Sequence, residues 1–343
     1  MCIRDRKYSV SIYNGDVKRG TRTFTTTESY PAGYDIVNVS DADMLNDIFT
    51  NPANYIQDNG GNVVLVFANG STTDYMGESM ELTIPADFKS VIFWGESGDT
   101  KPVFMPKGLS MAGSHDLIRF YNLDLQNTSS ANDYIVNFNV EGTVGEILID
   151  NCNISKTRGV VRVQSDGAKG SIGSINIDNC VLTDIGSYGV LQTKVSGFTL
   201  NSVSLSNSTV NTLSAGGVLV TQQDNVHISI DACTFYNCVA TGKSFIDINK
   251  MSNVTVDVKN TIIGQLYSYT AESTIKATSV KGIATTTNLF TTTDCPYNSG
   301  YEWGEILSVS STELFVNPAE GDFHIQSASQ SSVAGAGDPR WNE

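Results

Sequence analysis

Apolar and polar residues alternate with a period of two through most of this chain, in short runs that keep returning to one phrase. The runs are IRFYNLDL from Ile118, ILIDNCNI from Ile147, INIDNCVL from Ile175, VSLSNSTV from Val203, ISIDACTF from Ile228 and VDVKNTII from Val256. Positions one and three are always apolar. Position five reads Asn122, Asn151, Asn179, Asn207, Ala232 and Asn260, at intervals of 29, 28, 28, 25 and 28 residues. A repeat of about 20 to 50 residues marks a solenoid, a propeller or an array. The units also carry a second strand, such as GVVRV from Gly159, GVLQT from Gly189, GVLVT from Gly217 and FIDI from Phe245. None shows a helical period or a leucine-rich signature. The pattern predicts an all-β chain, a right-handed parallel β-helix with one turn per unit.

In such a solenoid identical phrases stack about 4.8 Å apart. Asn122, Asn151, Asn179, Asn207 and Asn260 are then expected to turn the chain and to bond through their amides up and down one column. Cys152, Cys180 and Cys233 share position six with Ser208 and Thr261. They are expected to point inward as reduced core residues, because free cysteine behaves as a small hydrophobe. Cys238 and Cys295 have no evident partner.

The flanks read differently. Residues 8–27 alternate around an Asn14-Gly15 turn signal and predict a hairpin. Ser40, with Asp43 three residues on, reads as a helix start, and Met44, Leu45, Ile48 and Phe49 share one face. Asn51-Pro52 restarts a short helical segment, and VVLVF at 63–67 is a buried strand. The chain closes on NPAEGDFHIQ and GAGDP within residues 313–343.

The helix, the rungs and this ending together resemble the pectin-lyase-like superfamily over roughly residues 30–343. More narrowly, they resemble surface lipoproteins of glycan-degrading gut bacteria. The hairpin, within residues 7–29, is similar to the last strands of a fibronectin-III-like domain, which such lipoproteins often carry upstream. Residues 1–6, MCIRDR, read as a truncated or foreign leader. The resemblance implies a protein secreted by, or anchored on the outer surface of, a bacterium, with a polysaccharide or oligosaccharide as partner.

Charge narrows the partners. The 343 residues carry a formal charge of −15 and a pI of about 4.5. That argues against nucleic acid and anionic membrane. No apolar run is long enough to cross a bilayer.

Position four is expected to face outward, and reads Tyr121, Asp150, Asp178, Ser206, Asp231 and Lys259. Like charges on neighbouring strands repel. Either turn chemistry with backbone amides offsets this for Asp150 and Asp178, or a Ca²⁺ ion does, with Asp231 a further candidate ligand. INIDNC is similar to a pectate lyase phrase whose aspartate binds calcium. The residue corresponding to it is Asp178, or Asp150 one rung earlier. The chain departs from that phrase at Asn176 and Asn179, and lacks the lyases' Arg-x-x-Pro-x-x-Arg segment.

A lyase base would have to be Arg158 or Arg162, the latter expected beside Gln192. No paired carboxylates of a glycosidase stand out. His115, His227 and His324 lie apart in the sequence. Tyr188, Tyr236, Tyr267, Tyr269, Tyr297, Tyr301 and Trp303 are candidate platforms for sugar rings. The expected function is binding or processing of polysaccharide; a calcium-dependent uronate lyase and a structural or adhesive stalk are the alternatives.

Overall fold

The computed structural model describes residues 7–342, apart from 16, 26–28, 58, 78–80, 165–168, 215, 249–250, 330–331 and 334. The expected leader, residues 1–6, lies outside the described residues. Lys7–Asn14 and Val17–Thr25 pair antiparallel as the expected hairpin, with a bulge between Ile12 and Tyr13.

From Asp35 onward the chain is a parallel β-solenoid of about nine turns. Three strand columns form its faces. The first holds positions one to four of each phrase, in the expected register: Ile118 pairs with Ile147, Ile147 with Ile175, Ile175 with Val203, Val203 with Ile228 and Ile228 with Val256. A seventh unit, Ala284–Thr291, continues it, Val256 lying opposite Ala284. The second face begins after the asparagine corner, as in Asn153 opposite Val181. The third carries Tyr134–Phe138 against Gly159–Val163 and their successors.

The corner follows from backbone preference. Asn122, Asn151, Asn179, Asn207, Asn260 and Asn288 all take left-handed φ values between 46° and 55°. Asparagine tolerates that region best among residues with a side chain. Ala232 adopts φ 53° at the same position, carried by its neighbours.

One apolar core runs the length of the solenoid. Phe120, Ile149, Ile177, Leu205, Ile230 and Val258, at position three, are all buried in it. Each contributes about 1.5–3 kcal/mol by leaving water. In the early rungs Phe93 and Phe120 stack at 4.9 Å. The helix Ala42–Thr50 covers one end, burying Leu45, Ile48 and Phe49. Its N-cap is Asp41, which accepts from the Met44 amide at 2.9 Å, one residue later than the Ser40 start expected. A second short helix, Ser311–Leu314, was not anticipated; it opens a closing segment whose Leu314, Phe315 and Phe323 pack outside the second face on Tyr236, Ile262 and Phe290.

Candidate functional site

The third face gathers three of the residues singled out from the sequence. Arg162 sits in register between Asn137 and Gln192, as expected for Gln192. Its guanidinium lies 4.8 Å from the Tyr134 ring centroid and 5.0 Å from that of Tyr188. Arg158 lies 4.5 Å from the Tyr188 centroid. The two tyrosine rings meet edge to face at 5.4 Å. Gly159 makes this possible, because a Cβ there would stand 2.7 Å from Tyr188 Cβ and 3.4 Å from the Tyr134 ring. Guanidinium groups held over aromatic faces keep their charge and their in-plane donors for an incoming group.

A polar relay continues from Arg162. Arg162 Nη1 donates to Gln164 Oε1 at 3.5 Å, and Asn137 Nδ2 donates to the same oxygen at 3.2 Å and to Glu81 Oε1 at 2.7 Å. Asn139 Nδ2 donates to Glu81 Oε2. The amide oxygens of Asn137 and Asn139 are buried without a hydrogen-bond partner among the described residues. Burial pushes the Glu81 carboxyl above its ordinary range, against the pull of Asn137 and Arg162. Burial likewise pushes the Tyr134 phenol up. Tyr134, Glu81, Asn137, Asn139 and Gln164 were not singled out from the sequence. Aligning YIVNF at 134–138 with GVVRV would have exposed Tyr134 and Asn137; Glu81 precedes the repeats and carries no such signal.

The acidic row is arranged otherwise than expected. Asp150 stands in register with Tyr121, on the outer side of the face as expected, but is buried there, and its Oδ2 accepts from Arg119 Nη2 at 2.9 Å. Arg119 in turn stacks over Tyr121 at 4.7 Å. Asp178 Oδ1 accepts from Ser206 Oγ at 2.6 Å and Asn207 Nδ2 at 2.8 Å, and Asp231 Oδ1 from Asn260 Nδ2 at 2.9 Å. Asp150 and Asp178 do lie opposite each other on adjacent rungs. Their repulsion is offset by an arginine and by side-chain donors, a solution outside both accounts weighed from the sequence. Among the described residues no group of three or more His, Cys, Asp or Glu side chains is placed to hold a metal ion.

The asparagine column is real but interrupted. Asn151 donates to Asn122 at 3.2 Å, Asn179 to Asn151 at 3.4 Å and Asn288 to Asn260 at 3.0 Å. Asn207 turns instead to Asp178. The reason is Arg340, whose Nη2 occupies the Asn179 side-chain oxygen at 3.2 Å and also reaches the carbonyls of Cys180 and Asn207. The closing segment thus lies along this corner. Gly337 N bonds Asn260 O at 2.8 Å, Asp338 N bonds Thr234 Oγ1 at 2.9 Å, and Asp338 Oδ2 accepts from Thr209 at 2.7 Å. An open cleft of about 410 Å³ remains between Asp178, Asn179, Asn207 and residues 338–340.

The expected aromatic platform is dispersed. Tyr236 and Trp303 are buried, packing on Phe323 at 5.6 Å and Phe245 at 5.6 Å. Their rings fill gaps under the closing segment and at the end of the core, so they present no face to a ligand. Tyr269 is exposed and Tyr267 half-buried. Only Tyr188 of the set joins the arginines. Tyr301 lies under Lys276 at 4.7 Å and Lys281 at 4.6 Å, on a separate part of the surface.

Cys152, Cys180 and Cys233 are buried and free, as are Cys238 and Cys295. Burial pushes Cys152 and Cys238 up to about 12. Such thiols are inert at neutral pH.

Residues 228–341 match a family described as a domain of unknown function (DUF5123). No curated protein and no solved structure matches the chain.

Proposed function

We propose that this β-solenoid binds polysaccharide across its third face, outside a bacterial cell, with Arg158, Arg162, Tyr134 and Tyr188 as the contact surface. One observation carries the reading: two guanidinium groups stacked on a tyrosine pair, with unpartnered amide oxygens beside them. Sugars present hydroxyls that satisfy such oxygens and apolar ring faces that suit tyrosine. In a chain of charge −15 this local positive cluster favours a glycan bearing acidic groups. The likeness to pectin-lyase-like proteins supports the same class of partner.

The test is a glycan array followed by affinity electrophoresis. Arg162→Ala and Tyr188→Ala are each expected to weaken retention by about tenfold, the effect of roughly 1.4 kcal/mol. Retention unchanged from the native chain in both variants, or no glycan retained, would overturn the reading. An unsaturated product released during incubation would move it to a lyase.

A further inference from the structure

Lys276 and Lys281 approach one aromatic ring, that of Tyr301, to 4.7 Å and 4.6 Å. Gly300 makes room for the second of them, since a Cβ there would stand 2.7 Å from Lys281 Nζ. Two ammonium groups on one ring repel each other, and the π face offsets only part of that cost. Glu302, the neighbouring carboxylate, bonds the Gly300 amide at 3.0 Å. Arg158, Arg162, Lys276 and Lys281 make no salt bridge among the described residues. The chain has 36 acidic side chains for 21 basic ones, so a carboxylate for each cation is not in short supply. Cations held on aromatic rings and left without a counter-charge point to an anion from outside.

The strand register places the lysine cluster on the third face as well, four rungs from the arginines. Arg162 lies opposite Gln192, Gln192 opposite Val220, and Val220 opposite Asp247. On the same strand as Asp247, Ser244 lies opposite Lys276. Tyr301 O accepts from Ala277 N at 3.0 Å, so this tyrosine lies alongside Lys276–Thr278 at the end of the face. Four rung steps are about 19 Å, the length of about four sugar residues laid along the solenoid axis. Short side chains floor the interval. Gly189, Gly217 and Ser244 each stand two residues before the in-register Leu191, Leu219 and Ile246, and so share one row with Lys276. Asp247 would oppose an acidic ligand there, but Lys194 Nζ lies 3.5 Å from its Oδ2 and offsets the charge.

We propose that Lys276, Lys281 and Tyr301 form a second subsite for an acidic sugar, on the same glycan that the arginine cluster holds, with the glycan running along the third face from one cluster to the other. This rests on the polysaccharide reading above and deepens it: the preferred glycan carries acidic groups at two points about four residues apart. One ligand that spans both clusters binds more tightly than either cluster alone, because its second contact forms intramolecularly.

The experiment is calorimetric titration of the full chain with two ladders of fragments, from about two to about ten residues long. One ladder is oligogalacturonate, which carries carboxylates; the other is heparin, which adds sulfates. Affinity for at least one ladder is expected to rise about tenfold up to about five or six residues and to level off beyond. The double variant Lys276→Gln with Lys281→Gln, at two surface positions, should lose this rise and bind the shortest fragments as the native chain does. Affinity independent of length in the native chain, or a rise that survives the double variant, would overturn the second subsite and leave the arginine face standing. Binding of neither ladder at any length would overturn both. The length dependence of the native chain is decisive even if the variant does not fold.

Discussion

The backbone N–H of Cys180 donates to Ser208 Oγ, 3.0 Å away on the following rung. The same bond recurs from Cys152 N to Cys180 Sγ at 3.4 Å and from Cys233 N to Thr261 Oγ1 at 3.4 Å. From Cys152 to Thr261 each position-six side chain then donates to the carbonyl two residues back, as Ser208 Oγ does to Ser206 at 2.6 Å. The corner tilts these amides out of the strand ladder, so a small side chain must receive them. That explains why the column reads Cys, Ser or Thr from Cys152 to Thr261, with Leu123 and Leu289 only at its two ends. Cys180→Ala is expected to orphan the Cys152 amide and cost about 1–3 kcal/mol, whereas Cys180→Ser restores most of it. Urea denaturation of both variants is the check; equal losses would refute the account.

Asp150 and Arg119 form a buried pair at 2.9 Å. Asp150→Asn would remove this counter-charge from beside the buried guanidinium and cost about 3 kcal/mol or more. Asp178→Asn, at a half-buried position held by neutral donors, should cost less than about 1 kcal/mol. Melting curves with and without calcium give both answers, and calcium is expected to leave the native chain unmoved. A calcium-dependent rise lost in Asp178→Asn would revive the cation.

Gly159 bears on both stability and the proposed site. Its Cβ, if present, would overlap Tyr188. Gly159→Ala should cost about 1–3 kcal/mol, the usual price of overpacking, and should weaken glycan retention by displacing Tyr188. A variant as stable and as retentive as the native chain would show that the tyrosine pair is not set by this glycine.

His115 is buried with Nδ1 2.7 Å from Phe88 O and Nε2 3.1 Å from Ala112 O. Burial pushes its pKa below the ordinary value of 6.5, more than these carbonyls raise it. The unfolded chain therefore takes up the proton first as pH falls. Stability tied to His115 is full above about pH 6.5 and declines below it, through the lowered folded value. His115→Gln should flatten this part of the profile. Melting temperatures at pH 5 and pH 7.5 for both proteins test it, and an unchanged slope in the variant would exclude His115 as its source.

The rungs were legible in the sequence because every unit solves one local problem. Ile147 and Ile149 must leave water, Asn151 must turn the chain, and the next unit repeats the same chemistry in register. The capping helix and the hairpin were legible for similar reasons, since amphipathic spacing and an Asn-Gly turn are local signals. The sixth asparagine, Asn288 in the seventh unit, was missed because its flanking threonines hide the apolar phrase.

What periodicity cannot carry is which outward side chains meet. Arg119 reaches Asp150 diagonally on the next rung, Glu81 reaches Asn137 across 56 residues, and Arg340 reaches Asn179 across 161. A repeat specifies the spacing of the backbone, whereas these contacts depend on non-repeating segments folding back onto it. The chain alone therefore determined a solenoid with an asparagine corner and a column of small side chains. Only the tertiary structure decided that Arg158, Arg162 and Tyr188 share one face, that Tyr236 and Trp303 do not, and that the corner is covered by the chain's own closing segment.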